Sequence, residues 1–186
     1  AVWKRDVTEL GTYAYFREDP AGSWGWYLTR FAAVVGAKPN AGHFALAALE
    51  RWQLALGGDF LLVTQNIDTL HEQAGSRSMV KVHGSSDRLR CARVGCENGA
   101  PRGSIARSEV DLSAFLENPI DANVPRCKLC GDYLRMHVLW FDEYYAEHEG
   151  YQYLRAERAA KRTAQLVLFA GTSFAVSTGA RMCTNT

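Results

Sequence analysis

Three short apolar runs in this chain each break off into small polar residues. Phe60-Leu61-Leu62-Val63-Thr64 leads into Gln65-Asn66-Ile67-Asp68, Val80-Lys81-Val82 into His83-Gly84, and Leu166-Val167-Leu168-Phe169-Ala170 into Gly171-Thr172-Ser173. Apolar runs of this length, bounded by turn-forming residues, read as buried strands, and in a doubly wound sheet ligands bind beyond the carboxyl ends of parallel strands. The pattern predicts an α/β fold with a Rossmann-like parallel sheet, and it aims three polar clusters at one crevice of a nucleotide-using enzyme.

Between these runs the period changes. Residues 24–35 are aromatic and aliphatic with Arg30 as the one charge, which predicts a short helix largely covered by neighbours. Pro39-Asn40 marks a turn. From His43 to Leu56 a helical stripe of Ala45, Leu49, Trp52 and Leu56 is expected to be buried, with Glu50, Arg51 and Gln53 off it and Gly57-Gly58 closing the helix. A helix feeding directly into the Phe60 run is half of an α/β crossover. Residues 91–130 are rich in loop formers, apart from a weakly helical 108–117. Residues 135–141 read as extended, and 143–165 as a charged helix returning to the sheet at Leu166. The predicted organisation is a helical module over 1–42, a first Rossmann-like part over 43–87, a zinc-binding insert over 88–134 and a second Rossmann-like part over 135–186.

Composition narrows the class. At 186 residues, 47% hydrophobic and 22% charged, the chain is long enough to bury a core as one domain with a small insertion. Its 21 basic and 20 acidic residues give a net charge of +1, so no global field favours nucleic acid or an anionic membrane, and neither is expected as a partner. No apolar stretch approaches the roughly 20 residues that span a bilayer, and no secretory leader opens the sequence, so a cytoplasmic protein is expected.

The cysteines are unevenly placed: Cys91-x4-Cys96, thirty intervening residues, Cys127-x2-Cys130, and Cys183 alone. Two close pairs in a reducing compartment point to a tetrahedral four-thiolate zinc, with disulfides of a secreted module as the alternative. Four thiolates leave no open position, so the metal would be structural. Cys183 reads as a small buried hydrophobe.

Thr64-Gln65-Asn66-Ile67-Asp68-x2-His71-x2-Ala74-Gly75, Val82-His83-Gly84, the two cysteine pairs, Arg135-x-His137-Val138-x-Trp140-Phe141 and Gly171-Thr172-Ser173 stand in the order and spacing of the sirtuins, the NAD-dependent protein-lysine deacylases, and the chain resembles that family over Pro39–Val176. The resemblance implies a Rossmann-like NAD domain, a smaller zinc-and-helix domain, and a cleft in which acyl-lysine meets the nicotinamide ribose. It implies that Gln65 and Asn66 contact the ribose region, Asp68 the carboxamide, and Gly171, Thr172 and Ser173 the adenosine half. His83 is implied as the general base, a role its residue type suits because an unperturbed imidazole titrates at about 6.5, near working pH. His43 and His71, on helix-like stretches, read as structural. Val138, Leu139, Trp140 and Phe141 form a plain core strand on composition, but in the family this run pairs with the substrate backbone as an added strand.

Tyr27 and Arg30, at i and i+3, share a helix face on which a phenol and a guanidinium could clasp a carboxylate. A similar pair lines the acyl pocket of sirtuins that prefer succinyl-, malonyl- or glutaryl-lysine, so a desuccinylase-like preference is expected, with plain deacetylation as its rival. Some features depart from the family pattern. No Gly-Ala-Gly-x-Ser loop precedes Ala1, no asparagine-bearing strand follows Thr186, Met136 replaces a common proline, and Asp142 a common glycine. The sheet is accordingly expected to be incomplete at both ends, the sequence an excerpt, and NAD turnover by these residues alone absent. A mono-ADP-ribosyltransferase and a non-catalytic zinc-dependent interaction module are the competing readings.

Overall fold

Helices come first in the chain. The computed structural model describes residues 7–172, beginning with α1 (Val7–Leu10), α2 (Tyr13–Glu18), α3 (Pro20–Val35) and α4 (Ala41–Ala55). The starts of α2, α3 and α4 are capped by side chains that accept otherwise orphaned N–H groups. Thr12 accepts from Tyr15, Asp19 from Gly22 with Pro20 in the first turn of α3, and Asn40 forms a reciprocal capping box with His43. His43 is therefore a structural histidine.

The parallel unit follows. β1 (Leu62–Thr64) is joined through α5 (Leu70–Ala74) to β2 (Met79–Lys81), and the strands run parallel with Leu62 opposite Met79 and Thr64 opposite Lys81. A second sheet is antiparallel, in the order β4 (Ile105–Ala106), β3 (Gly84–Cys91), β5 (Leu134–Val138). Between β4 and β5 lie α6 (Ser113–Glu117) and two single 3-10 turns. The main core is where α2 and α3 meet the second sheet: Phe16, Trp24, Tyr27 and Phe31 pack with Leu89, Leu134, Met136, Val138 and Trp140. Trp24 donates its indole N–H to the Leu134 carbonyl at 2.9 Å, so even this ring's polar atom is satisfied in the core. A smaller core of Val80, Val82 and Ala156 backs the parallel pair. Among the described residues no helix is long and apolar enough to cross a membrane.

Three sequence expectations need correction. The stripe expected to be buried on α4 faces outward, with Trp52 and Leu56 59% and 66% exposed, while Glu50 is buried at 3% beside Ala47. The Glu50 carboxylate is drawn inward because the backbone N–H groups of Arg77 and Ser78, in the turn before β2, require an acceptor. Residues 166–170 are irregular and largely exposed, not the predicted third strand; Leu166 is 84% exposed. An apolar run becomes a buried parallel strand only where neighbours cover both of its faces. The predicted helix over 143–165 is broken into two 3-10 turns, α7 (Tyr153–Arg158) and one wider turn at Ala159–Thr163. The breaks fall where buried His148 takes the Gly150 N–H on its ring and where Gln152 adopts a left-handed φ of 48°.

Candidate active site

β1 and β2 end in register, and their carboxyl ends deliver the two polar clusters side by side. The Thr64 carbonyl accepts Val82 N–H at 3.1 Å, and the next residues, Gln65 and His83, are joined by a 2.9 Å hydrogen bond from the imidazole Nδ1 to the Gln65 carbonyl. A carbonyl only accepts, so Nδ1 carries the hydrogen and Nε2 keeps a lone pair. Tyr145 places its hydroxyl 3.0 Å from that Nε2. Burial lowers the His83 pKa against the opposing pull of the Gln65 bond, which keeps the ring neutral and able to accept a proton at neutral pH. Gly84 is required here: its φ is 83°, and a Cβ would stand 2.1 Å from the His137 carbonyl.

The loop after β1 is held from several sides. Thr64 Oγ1 accepts Asn66 N–H at 3.1 Å, the Ile67 carbonyl accepts Ser86 N–H, and Asp68 Oδ1 accepts Leu70 N–H at 3.0 Å, starting α5. Lys81 donates to the Asp68 carbonyl and bonds Glu72 and Ser85 at 2.9 and 2.8 Å, an anchor with no signature in the sequence. Asp68 opens onto a cavity of about 500 Å³ bounded also by Phe31, Gln73 and Arg107. Gln65 and Asp68 are half-buried and Asn66 exposed, so the loop combines fixed backbone with reachable side chains. His71, its ring centroid 4.6 Å from that of His43, has a pKa lowered by burial and by His43, as suits a structural histidine.

The structure brings the 138–141 run to His83: the His83 carbonyl accepts Leu139 N–H at 2.9 Å, and Gly84 pairs with Val138. Val138 and Trp140 are buried, Leu139 is half-buried and Phe141 exposed. The next two N–H groups of the run are also engaged, Trp140 with Glu143 at 3.0 Å and Phe141 with the Gly11 carbonyl at 3.0 Å. Both departures in this region have local reasons. Met136 fills the buried centre of β5 opposite Leu89, and the Asp142 carboxylate accepts Tyr13 and Ala14 N–H at 2.7 and 3.0 Å, capping α2.

Tyr27 and Arg30 lie on α3 beside this run. The Tyr27 ring is buried, 5.9 Å from Trp140, and burial raises its pKa, so the phenol stays a neutral donor. The Arg30 guanidinium stacks 4.1 Å over Trp26. Below Trp140, Glu143 bridges two buried arginines, Arg90 at 2.7 Å and Arg135, which lies 3.4 Å over the Trp140 ring. Burial works to raise the Glu143 pKa, but the Arg135 hydrogen bonds and the two positive charges outweigh it and leave it below the usual carboxylate range. Partners 8 and 53 residues apart leave no pattern in the sequence.

The four cysteines converge. Cys91 and Cys130 sulfurs are 3.4 Å apart, Cys96 and Cys127 3.7 Å, and all four lie within 4.8 Å of one another. About 3.8 Å is the sulfur–sulfur edge of a tetrahedron with 2.3 Å metal–sulfur bonds, so the free thiols fit one zinc ion. Gly171 turns with a φ of 66°, with Thr172 after it, and Ser173 lies outside the described residues.

A parallel βαβ unit with a histidine and an amide-rich loop at its carboxyl end, joined to a cluster of four cysteines that could hold one metal ion, defines an α/β protein of the Rossmann-like class. The pattern of the Sir2 family matches residues 3–178, and the chain belongs to that family. It is 38% identical over 182 residues to an NAD-dependent protein deacylase of Thermus thermophilus, covering 97% of this chain and 63% of that one. It thus spans less than two thirds of the length of this relative. The fold is similar to a solved Sir2 homologue–NAD complex, with TM-score 0.72 and 33% identity over 96% of this chain and 62% of that one. A Sir2–p53 peptide–NAD complex gives TM-score 0.73 at 26% identity, over 97% of this chain and 65% of that one.

Proposed function

We propose that these residues form the reaction centre of an NAD-dependent protein-lysine deacylase that yields nicotinamide and O-acyl-ADP-ribose. The observation that carries the reading is His83: anchored through Nδ1 on Gln65 at the carboxyl ends of two parallel strands, it presents Nε2 as a base. NAD, when bound, supplies the ribose carbon that exchanges nicotinamide for the acyl oxygen. Gln65 and Asn66 would orient the ribose, Asp68 the carboxamide, and Gly171, Thr172 and Ser173 the adenosine half. His83 Nε2 would draw the proton from a ribose hydroxyl. Val138, Leu139, Trp140 and Phe141 would line the peptide and acyl-lysine path, with their backbone already largely committed within the chain. Zinc on Cys91, Cys96, Cys127 and Cys130 would hold the β3–β5 module without touching the chemistry, and four free thiols suit a reducing, cytoplasmic setting.

The acyl group favoured is an acidic one. Tyr27 is a neutral donor and Arg30 a cation on the same turn of α3, a pairing that recognises a succinyl-type carboxylate and leaves an acetyl group without use for the charge.

The test is incubation of the full-length protein with NAD and succinyl- or acetyl-lysine peptide. Appearance of free lysine peptide together with acyl-ADP-ribose supports deacylation. ADP-ribosylated protein with the acyl-lysine intact indicates a transferase, and no consumption of NAD a non-catalytic module.

A further inference from the structure

Tyr145 lies in a stretch whose sequence signals only charge and helix, yet its hydroxyl is 3.0 Å from the His83 nitrogen left free by Gln65. Its position is held by the chain around it. The Tyr145 ring stacks on Tyr153 with centroids 4.3 Å apart and planes at 21°, and both rings pack against the small core of Val80, Val82 and Ala156. It opens a 3-10 turn closed by reciprocal bonds between Tyr144 and Glu147, shortly after Glu143 is locked between Arg90 and Arg135. The imidazole and phenol planes lie 23° apart with centroids 5.9 Å from each other, so the contact is made through the hydroxyl and Nε2 and not by ring overlap.

We propose that Tyr145 is a positioning residue for His83: with the Gln65 carbonyl on one side and the Tyr145 hydroxyl on the other, the ring is fixed in the one neutral tautomer whose Nε2 accepts. Nε2 has a single lone pair, so the phenol O–H that donates to it holds the resting ring in place, and a ribose hydroxyl that gives its proton to Nε2 takes over that position while the Gln65 carbonyl keeps Nδ1–H. The role rests on His83 acting as the base, and its spectroscopic test does not.

The variant is Tyr145→Phe, which keeps the stacked ring and removes only the hydroxyl. Nitrogen-15 histidine spectra of the full-length protein at pH 8 should show His83 as the Nδ1–H tautomer with Nε2 hydrogen-bonded, and in the variant an Nε2 signal moved toward that of an unbonded imine nitrogen. Turnover of acyl-lysine peptide should fall about tenfold in kcat, which corresponds to about 1.4 kcal/mol, with peptide KM changed less than twofold. The acid limb of the kcat profile should move with it. A His83 spectrum unchanged by the substitution overturns the proposal, as does a changed spectrum with undiminished kcat. Should the unmutated protein turn over no acyl peptide, the deacylase reading fails, and the spectra still decide whether Tyr145 holds the ring.

Discussion

Glu50 Oε1 accepts the backbone N–H of Ser78 at 2.7 Å, a bond between the buried side of α4 and the residue just before β2. Arg77 N–H reaches both oxygens of the same carboxylate at 3.1 Å. One side chain thus terminates the turn that sets the register of the parallel pair, and with it the placement of His83 beyond β2. Glu50→Ala leaves these N–H groups without their acceptor, and such losses cost about 1 to 3 kcal/mol each where water cannot replace the partner. Urea denaturation should show a lowered midpoint, with Glu50→Gln between the two. An unchanged midpoint in the alanine variant would show that the carboxylate is not holding the turn.

Removal of the metal should act on one part of the fold first. Folding free energy of small cysteine modules comes from the ion they bind. Metal analysis should find one zinc per chain, and chelation should raise amide exchange across 88–134 before it does so in β1 and β2. Cys127→Ser should reproduce the effect without chelator. Purified protein free of metal, with the cysteine module still protected, contradicts this.

The pair on α3 predicts substrate choice. Arg30→Met should reduce kcat/KM for succinyl-lysine peptide by a factor equivalent to about 1.5 to 3 kcal/mol, the range for a hydrogen bond to a charged group, while acetyl-lysine turnover changes little. Equal damage to both substrates would mark Arg30 as a packing residue over Trp26.

Stability should fall in acid. Burial and neighbouring positive groups, His148 and three arginines, push the His137 pKa down to about 3, and burial lowers that of His148 as well. In the unfolded chain both titrate near 6.5, so below that pH the unfolded state binds more protons than the folded one. Stability is therefore full above pH 6.5 and declines as pH drops toward 3, by up to about 1.4 kcal/mol per pH unit for each histidine. His137→Gln should flatten the melting-temperature profile between pH 6.5 and 4; an identical slope in the variant would assign the acid sensitivity elsewhere.

Restoring glycine at Asp142 removes the carboxylate that caps α2 at Tyr13 and Ala14. Helix caps contribute about 1 kcal/mol. Asp142→Gly should lower the melting temperature modestly and raise protease cleavage around residues 11–14, and cleavage that stays as slow as before argues against the cap.

Several features were legible in the sequence because their physics is local. The Leu62–Thr64 and Met79–Lys81 strands announced themselves as apolar runs ending in polar residues, and the cysteine spacing announced four convergent thiols because close pairs need little chain to form a site. The resemblance of ordered motifs carried the family, and the family pattern matches residues 3–178. Tertiary structure alone decided which face of each element is inside. Helical periodicity in α4 marks Leu49, Trp52 and Leu56 as one face, but which face is buried depends on what lies opposite, and there the backbone of Arg77 and Ser78 called for a carboxylate. The same holds for Leu166–Ala170, whose apolar composition provides no strand without covering neighbours, and for Tyr145, Arg90 and Glu143, whose partners are distant in sequence. Propensity and spacing are properties of a few consecutive residues; burial and hydrogen-bond pairing are properties of surfaces that meet only when the chain has folded.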